Sequence, residues 1–287
     1  MNDIQPAPDE RVALGVIPAR YASTRFPGKP LADICGKPMI QRVWEAARQA
    51  RCIQRLVVAT DDERIAAVCR EFGAEALLTP SSLASGADRV AYAADFYTRQ
   101  SGKRFPIVLN IQGDEPLLEG ALLDELVAAF LERRQAAADK SLVVTTPVQR
   151  IISPEELFSP HCVKAALDES SKILHFSRSP IPRTAAFSSP EAHLEADLEA
   201  DIDADMERHI FWKHIGLYAY SADALAAFAA LPPSPLEQRE QLEQFRLLER
   251  GADFYAVPTA ARLISVDVEA DINRVCRELA RREYIFL

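Results

Sequence analysis

The stretch that decides the fold is Val12–Pro30, VALGVIPARYASTRFPGKP, in which an apolar run leads into a loop with three cations. An apolar run as short as Val12–Pro18 is typical of a buried strand. Further runs of strand length alternate with stretches of helix length. The predicted strands are Arg55–Ala59 and Ile107–Ile111, and the predicted helices are Pro38–Ala50, Asp62–Phe72, Ala87–Tyr97 and Leu118–Arg134. This order predicts an α/β fold with a mainly parallel sheet, helices on both faces, and ligands at the carboxyl ends of the strands.

From about residue 142 to 220 the pattern changes, because strand-like runs follow one another with few helices between them. These runs are Leu142–Val148, Cys162–Leu167, Ile173–Phe176 and Lys213–Tyr220. We interpret the region as a strand-rich subdomain inserted into the α/β core. The core then returns with helix Leu236–Arg250, strand Phe254–Val257 and helix Ala270–Arg282. Residues 1–11 are predicted to be a polar tail, and residues 12–287 a single domain.

The composition excludes several classes of protein. Hydrophobic residues make up 48% of the 287 residues, enough for a sizeable core. The sequence has neither an apolar run near the roughly 20 residues of a spanning helix nor the start of a signal peptide. We therefore expect a cytoplasmic protein that does not associate with membranes. The net charge of −9 argues against a nucleic-acid partner.

The charge is concentrated in one segment. Between Glu191 and Glu207 lie eight acidic residues and neither Lys nor Arg. We expect an acidic excursion at about 187–209 that lies in solvent, away from any anionic substrate. Closure of this segment over the substrate site is the alternative.

The spacing of the cysteines gives no sign of a disulfide framework. They are Cys35, Cys52, Cys69, Cys162 and Cys276. Their number is odd, and no two have the C-x-x-C spacing, so neither disulfides nor a zinc site are expected. We interpret them as small buried apolar residues.

The loop after the first predicted strand carries Arg20, Arg25 and Lys29, together with Gly28. Such loops often cradle phosphates with cations and backbone N–H groups. A nucleoside triphosphate needs several cations, so this set favours phosphate binding over an ordinary solvated basic loop. The loop matches neither the P-loop nor the dinucleotide motif.

Three acidic residues are candidate metal ligands, and Asp114 is the first choice. Asp114 follows the buried run Ile107–Ile111, and a carboxylate at a strand end is a good Mg²⁺ ligand. Glu115 has the alternative of a solvated turn residue. Asp267 interrupts the apolar run Leu263–Val268, and a metal or a helix N-cap would explain it. Spacing alone slightly favours the cap.

At this point the motifs carry a family resemblance that extends from Val12 to Leu279. They are Pro18–Leu31 (PARYASTRFPGKPL), Gly36–Met39 (GKPM), Val58–Asp62 (VATDD), Ser85–Arg89 (SGADR), Asn110–Pro116 (NIQGDEP), Phe176–Arg178 (FSR), Ile181–Pro182 (IP), His214–Tyr218 (HIGLY), Ser234–Gln238 (SPLEQ) and Leu242–Gln244 (LEQ). The sequence resembles the 3-deoxy-D-manno-octulosonate cytidylyltransferases, which use CTP and Mg²⁺ to activate the acidic sugar Kdo. The resemblance implies a Rossmann-like nucleotide-sugar transferase fold, a mixed and mostly parallel sheet, and a homodimer formed through the strand-rich subdomain.

The resemblance also implies roles for individual residues. Arg20 and Lys29 would act in catalysis together with Asp114 and Asp267, the two Mg²⁺ ligands. The nucleotide would be bound by Ala19, Arg20, Lys29, Ser85 and Gly86. The sugar acid would be bound by Arg25, Gln112, Arg178, His214, Tyr218, Glu243 and Gln244. Each of these residues also has a structural explanation when it is considered alone. His214 fits a buried core histidine, and Glu243 and Gln244 fit the polar face of a helix.

The sequence departs from the family pattern at a few positions. Ala87 replaces the usual hydroxyl residue. Ser265 and the pair Val268–Glu269 replace the usual Gly and Thr-Pro around Asp267, which is kept. Another acidic sugar, such as 8-amino-Kdo or a sialic-type acid, is the nearest alternative substrate. A non-catalytic binding protein on the same fold is the alternative of a different class.

Overall fold

The computed structural model describes residues 12–22, 26–136, 141–183, 206 and 209–285. Arg25, the tail at residues 1–11 and nearly all of the acidic excursion lie outside the described residues. The predictions for these parts therefore stay predictions.

The sheet is built around β1 (Ala13–Ala19), which is buried along its whole length. On one side it pairs in parallel with β4 (Ile53–Thr60), which pairs with β5 (Glu75–Leu78). On the other side it pairs in parallel with β6 (Ile107–Asn110). A central parallel strand is covered on both faces, which explains why Val12–Pro18 is apolar at almost every position.

The remaining strands extend the same ten-stranded sheet rather than forming a separate one. They are β7 (Val143–Arg150), β8 (Lys164–Leu167), β9 (Ile173–Ser177), β10 (Trp212–His214), β11 (Tyr218–Ser221) and β12 (Asp253–Pro258). Strand β11 runs antiparallel between β6 and β7, and β12 lies parallel to β7. Only β9, β10 and β11 run against the other strands, so the predicted mixed, mostly parallel sheet is confirmed. A short hairpin of β2 (Asp33–Ile34) and β3 (Lys37–Pro38) stands apart.

Helices cover both faces of the sheet, as predicted. They are α1 (Met39–Ala47), α2 (Glu63–Glu71), α3 (Gly86–Ser101), α4 (Gly120–Ala136), α5 (Pro154–Phe158), α6 (Ala222–Ala230), α7 (Pro235–Glu240), α8 (Phe245–Leu248) and α9 (Asp271–Ile285). Apolar residues of α1, α2 and α4 pack on one face. Those of α3, α6 and α8 pack on the other. In the described part of the chain, no helix is long and apolar enough to cross a membrane.

Two predicted elements are divided in the structure. The strand predicted at Lys213–Tyr220 becomes β10 and β11, because the backbone makes a tight turn between them, in which the N–H of Leu217 donates to Ile215 O at 2.8 Å. The hydroxyl of Thr146 in β7 donates to the carbonyls of Ile215 and Leu217 on either side of this turn. The helix predicted at Leu236–Arg250 becomes α7 and α8. It is interrupted at Gln241, whose left-handed backbone (φ 55°) ends α7. The sequence analysis did not predict β5, α5 or α6.

The prediction that no cysteine is paired was wrong for one pair. Cys35, in the β2–β3 hairpin, and Cys276, in α9, form a disulfide with Cα atoms 6.1 Å apart. They lie 241 residues apart in the sequence, so spacing carries no sign of the pairing. Cys52, Cys69 and Cys162 are free and buried, as predicted.

Candidate active site

The carboxyl ends of β1 and β6 open into a cleft of about 240 Å³, hereafter the cleft. Seven predicted site residues line it: Ala19, Arg20, Lys29, Gly86, Gln112, Asp114 and Asp267. A Cβ on Gly113 would lie 3.0 Å from Pro18 O, so a glycine here lets the turn after β6 approach the end of β1 closely.

Lys29 lies at the centre of this cleft. Its Nζ donates to Asp114 Oδ2 at 2.6 Å and to Val266 O at 2.7 Å, and it lies 3.9 Å from Asp267 Oδ1. The preceding Gly28 has a left-handed backbone (φ 73°). A Cβ there would also meet the ring of Tyr21 at 3.2 Å, so this turn requires glycine. The turn directs the ammonium between two carboxylates from distant parts of the chain.

The pair Asp114 and Asp267 fits a magnesium ion. Among the residues that the structure describes, no group of three or more His, Cys, Asp or Glu side chains could hold a metal. Mg²⁺, however, is commonly held by one or two carboxylates, with substrate phosphates and water as its other ligands. Asp114 and Asp267, which both lie beside Lys29 in the cleft, could supply these two carboxylate ligands.

Asp267 does not occupy the N-cap position that its spacing favoured. Helix α9 begins four residues later at Asp271. The carboxylate of Asp271 accepts the backbone N–H groups of Asp267 at 2.9 Å and Val268 at 3.1 Å. Of the two explanations left open by the sequence, the structure favours the one in which the Asp267 carboxylate serves the cleft.

A second cavity, of about 290 Å³, is called the sugar pocket here because predicted sugar-binding residues line it. Four predicted sugar-binding residues line it: His214, Tyr218, Glu243 and Gln244. Two other predicted residues lie elsewhere. Gln112 lines the cleft instead. Arg178 is not among the residues that line either cavity, and its guanidinium donates to the backbone carbonyls of Pro160, Glu240 and Gln241, the last of which lines the pocket.

His214 is a neutral, buried side chain. Its Nε2 lies 3.0 Å from Thr146 Oγ1, and its ring packs against Phe176 and Tyr218. Burial lowers the pKa of His214 to about 3. The imidazole is therefore a poor general base at neutral pH, and a packing role agrees with the alternative reading as a core histidine.

Glu115 is buried (4% exposed), so its interpretation as a solvated turn residue was wrong. Burial, and then the negative charge of Asp114, raise the pKa of Glu115 to about 8. Its Oε1 accepts a hydrogen bond from the Ser265 hydroxyl. Its Oε2 has no hydrogen-bond partner among the described residues. Glu115 and Ser265 both line the sugar pocket, whereas the sequence suggested Glu115 only as a second-choice metal ligand and gave Ser265 no role in the site.

The N-terminus of α3 stands between the two cavities. Ser85 is its N-cap and forms a capping box with Asp88, while Gly86 lines the cleft. The carboxyl group of Glu243 lies near the Ser85 side chain and the Ala87 backbone, and burial raises its pKa. Glu243 therefore links the predicted nucleotide side to the predicted sugar side.

Arg89 is a cleft residue that the sequence analysis quoted in a motif but gave no role. It is 3% exposed and donates to Asp61 Oδ2 at 2.5 Å and to Thr79 Oγ1 at 2.6 Å. Its position in the motif Ser85–Arg89 was the signal that could have identified it.

Comparison with known proteins identifies the family. The profile described as Cytidylyltransferase matches residues 14–254. The 3-deoxy-manno-octulosonate cytidylyltransferase of Geobacter metallireducens is 41% identical over 266 residues, which cover 93% of this chain and 97% of that protein. The Syntrophobacter fumaroxidans protein of the same name is 42% identical over 270 residues, with coverage of 93% and 97%.

A solved structure agrees over the whole fold. It is the CMP:2-keto-3-deoxy-manno-octonic acid synthetase complexed with CTP, which superposes with a TM-score of 0.77 at 35% identity, covering 94% of this chain and 99% of that one. A Leptospira borgpetersenii cytidylyltransferase, at 13% identity and a TM-score of 0.55, shares the fold. Because these sequence and structure matches cover more than nine-tenths of the chain, and because a cation and two carboxylates meet at its strand ends, the chain belongs to the cytidylyltransferase family, among the 3-deoxy-manno-octulosonate cytidylyltransferases.

Proposed function

We propose that the protein transfers CMP from CTP to Kdo, giving CMP-Kdo and pyrophosphate, and so activates the sugar for lipopolysaccharide biosynthesis. The observation that carries the proposal is the meeting of Lys29, Asp114 and Asp267 in a cleft beside a separate polar pocket. The relatives named for this reaction, and the solved relative bound to CTP, support it.

The cleft is the proposed nucleotide site. Arg20 and Lys29 supply positive charge for the phosphates. The N-terminus of α3 at Ser85–Gly86 adds backbone N–H groups and the positive end of a 16-residue helix. These groups would stabilise the charge that develops as pyrophosphate leaves, which is the main electrostatic task in this class of reaction.

Magnesium is the proposed cofactor, held by Asp114 and Asp267. When bound with CTP, it would neutralise phosphate charge and lower the pKa of a coordinated hydroxyl group. The side chains around it have complementary tasks. Lys29 holds both carboxylates toward the cleft in the described structure. The bond from Lys29 to Val266 O fixes the backbone next to Asp267.

The sugar pocket is the proposed Kdo site, and its side chains bind and orient the acid. The anomeric hydroxyl oxygen of Kdo attacks the α-phosphorus of CTP, and the bond from that phosphorus to the oxygen of the leaving pyrophosphate breaks. The hydroxyl proton is released to solvent, and His214 is not its acceptor, because burial lowers the pKa of His214 to about 3. Positioning of the two substrates supplies most of the rate enhancement.

A pyrophosphate-release assay tests the proposal. Purified protein with Mg²⁺ and CTP should release pyrophosphate when Kdo is added and not in its absence. A panel with 8-amino-Kdo and a sialic-type acid tests the choice of sugar. If an analogue is turned over and Kdo is not, that analogue is the substrate instead of Kdo. If no sugar acid is turned over, the proposal that the protein is an enzyme is wrong.

The proposal includes a homodimer and a cytoplasmic location. Ile152, Leu174 and Ile210 are exposed apolar side chains of the strand-rich region, where the resemblance places the dimer contact. The cytoplasm is the compartment in which CTP is consumed for biosynthesis, and the described helices include none that could cross a membrane.

A further inference from the structure

The turn after β6 directs two adjacent carboxyl groups into two different cavities. Asp114 lines the cleft, and Glu115 lines the sugar pocket. The backbone here is tied to the segment before α9, because the N–H of Val266 donates to Asp114 O at 3.0 Å. Ser265 and Asp267 flank Val266, so each carboxyl group has a neighbour from that segment: Ser265 beside Glu115, and Asp267 across Lys29 from Asp114.

Glu115 has one satisfied and one unsatisfied oxygen. Oε1 accepts from Ser265, whereas Oε2 has no partner in the described part of the chain, although the side chain is only 4% exposed. Such an atom costs free energy unless something completes its hydrogen bonding. Neither the fold nor the proposed nucleotide site gives it a role.

Gln244 lines the same pocket and carries a second unsatisfied atom, and the two atoms together indicate what kind of ligand would satisfy them. Gln244 is 3% exposed, its Oε1 lies 3.4 Å from the Tyr218 hydroxyl, and its Nε2 has no partner among the described residues. An amide N–H needs an acceptor, and a carboxyl oxygen needs a hydroxyl or another polar hydrogen-bonding group. Hydroxyl groups both donate and accept, so a polyhydroxylated acid matches a pocket with this pair of atoms.

We propose that Glu115 is a further sugar-binding residue, whose Oε2 hydrogen-bonds to a hydroxyl group of the sugar acid, and that Ser265 is the positioning residue that holds its carboxyl group. The inference rests on the proposed function, because it takes the sugar pocket to be the Kdo site. Ser265 itself is exposed on the pocket wall, so this residue can be replaced without disturbing the core.

The test compares kinetic constants for Kdo and CTP in the full chain. Glu115→Leu removes the hydrogen-bonding atoms and should raise KM for Kdo about tenfold, as expected for one lost hydrogen bond to a polar ligand. KM for CTP should change less than about twofold, because the cleft residues are unchanged. Glu115→Gln keeps a hydrogen-bonding group and should restore most of the affinity. The matched control is Glu119→Leu, an exposed glutamate that pairs with Arg282 outside both cavities.

Kdo analogues that each lack one hydroxyl identify the contact. The wild-type protein should lose about tenfold in kcat/KM with one of them, and Glu115→Leu should no longer discriminate against that analogue. Ser265→Ala should raise KM for Kdo about threefold, and Ser265→Thr, which keeps the hydroxyl, should restore it. A purely structural role would not produce this loss of discrimination.

The outcomes separate the inference from the proposed function. If the wild-type protein shows no Kdo-dependent pyrophosphate release, the proposed function fails and the inference falls with it. If the wild-type protein is active and Glu115→Leu folds but keeps both its KM for Kdo and its discrimination among analogues, only the inference is overturned. If Glu115→Leu does not fold, the Ser265 variants decide: a rise with Ala and recovery with Thr support it, and an unchanged KM overturns it.

Discussion

At the residue scale, Asp114 and Asp267 should act as one unit, because both carboxylates meet at Lys29. Asp114→Asn and Asp267→Asn should each lower kcat about a hundredfold or more, since each removes half of the proposed metal site. The double variant should lose little beyond the single ones, because members of one site are not additive. Steady-state kinetics across a Mg²⁺ titration measures this.

The control for these variants is Asp223→Asn, which removes an exposed carboxylate paired with Arg104. Its kcat should match that of the wild-type protein. If the two single losses multiply in the double variant, the carboxylates act independently, and a shared magnesium ion is the wrong explanation.

His214 provides a second prediction at this scale, on the pH dependence of stability. Its pKa is about 3 in the folded protein, whereas an unfolded histidine has a pKa of about 6.5. As pH falls below about 6.5, the unfolded chain binds a proton that the folded chain does not bind. The free energy of unfolding therefore decreases by up to about 1.4 kcal/mol per pH unit from this residue alone.

Urea unfolding at several pH values checks this contribution. His214→Gln should show a smaller decrease in unfolding free energy between about pH 6.5 and 4.5 than the wild-type protein. Replacement of the exposed His209 by Gln should leave the decrease unchanged. The same pH dependence in His214→Gln and the wild-type protein would mean that His214 is protonated in the folded state.

At the element scale, the disulfide should stabilise the contact between α9 and the β2–β3 hairpin. Cys276 and Val275 of α9 pack with Ile34 and Met39 around Val266, the neighbour of Asp267. A crosslink over a long loop contributes about 2–4 kcal/mol. Without reductant, Cys35→Ser should therefore lower the Tm by about 5 °C or more.

Thermal unfolding with and without dithiothreitol measures this effect. Reductant should lower the Tm of the wild-type protein to near that of Cys35→Ser and leave the variant unchanged. If reductant does not affect the wild-type Tm while mass spectrometry confirms that the bond is reduced, the link contributes nothing to stability.

The elements also show which parts of the fold a single sequence can predict. Strands β1 and β6 are buried throughout and apolar except at Asn110, because they lie at the centre of the sheet, so their pattern predicted them directly. Strand β5 has only four residues and none of them is fully buried, so it carries no such pattern. The break between β10 and β11 is a turn from Ile215 to Leu217 whose carbonyl groups accept from the Thr146 hydroxyl, and local propensity does not indicate a partner so distant in the sequence.

At the scale of the whole molecule, the candidate site was predictable where one physical rule applies. Loops at the carboxyl ends of parallel strands meet at one edge of the sheet, and this brings the predicted site residues Lys29 and Asp114 together. The site was less predictable where partners depend on the tertiary fold. Arg178 donates to three backbone carbonyls, and the burial of Glu115 depends on the segment around Ser265, 150 residues away.

The last prediction, also for the whole molecule, is that the protein is a dimer through its strand-rich region. Ile152 and Ile210 are 80% and 52% exposed, and they are brought together because the N–H of Ile151 donates to Phe211 O at 2.8 Å. Adjacent exposed isoleucines on one surface favour burial against a second copy. Light scattering should give twice the chain mass of 31.8 kDa.

A double variant, Ile152→Ser with Ile210→Ser, tests where the contact lies. It should shift the protein toward the monomer, because the apolar area that drives association is removed while the core is untouched. The matched control is Val268→Ser, an exposed apolar residue (41%) on the segment before α9, which should leave the mass unchanged. A monomeric wild-type protein at about 50 μM would rule out a dimer of the usual affinity. A double variant that stays dimeric would place the interface on another surface.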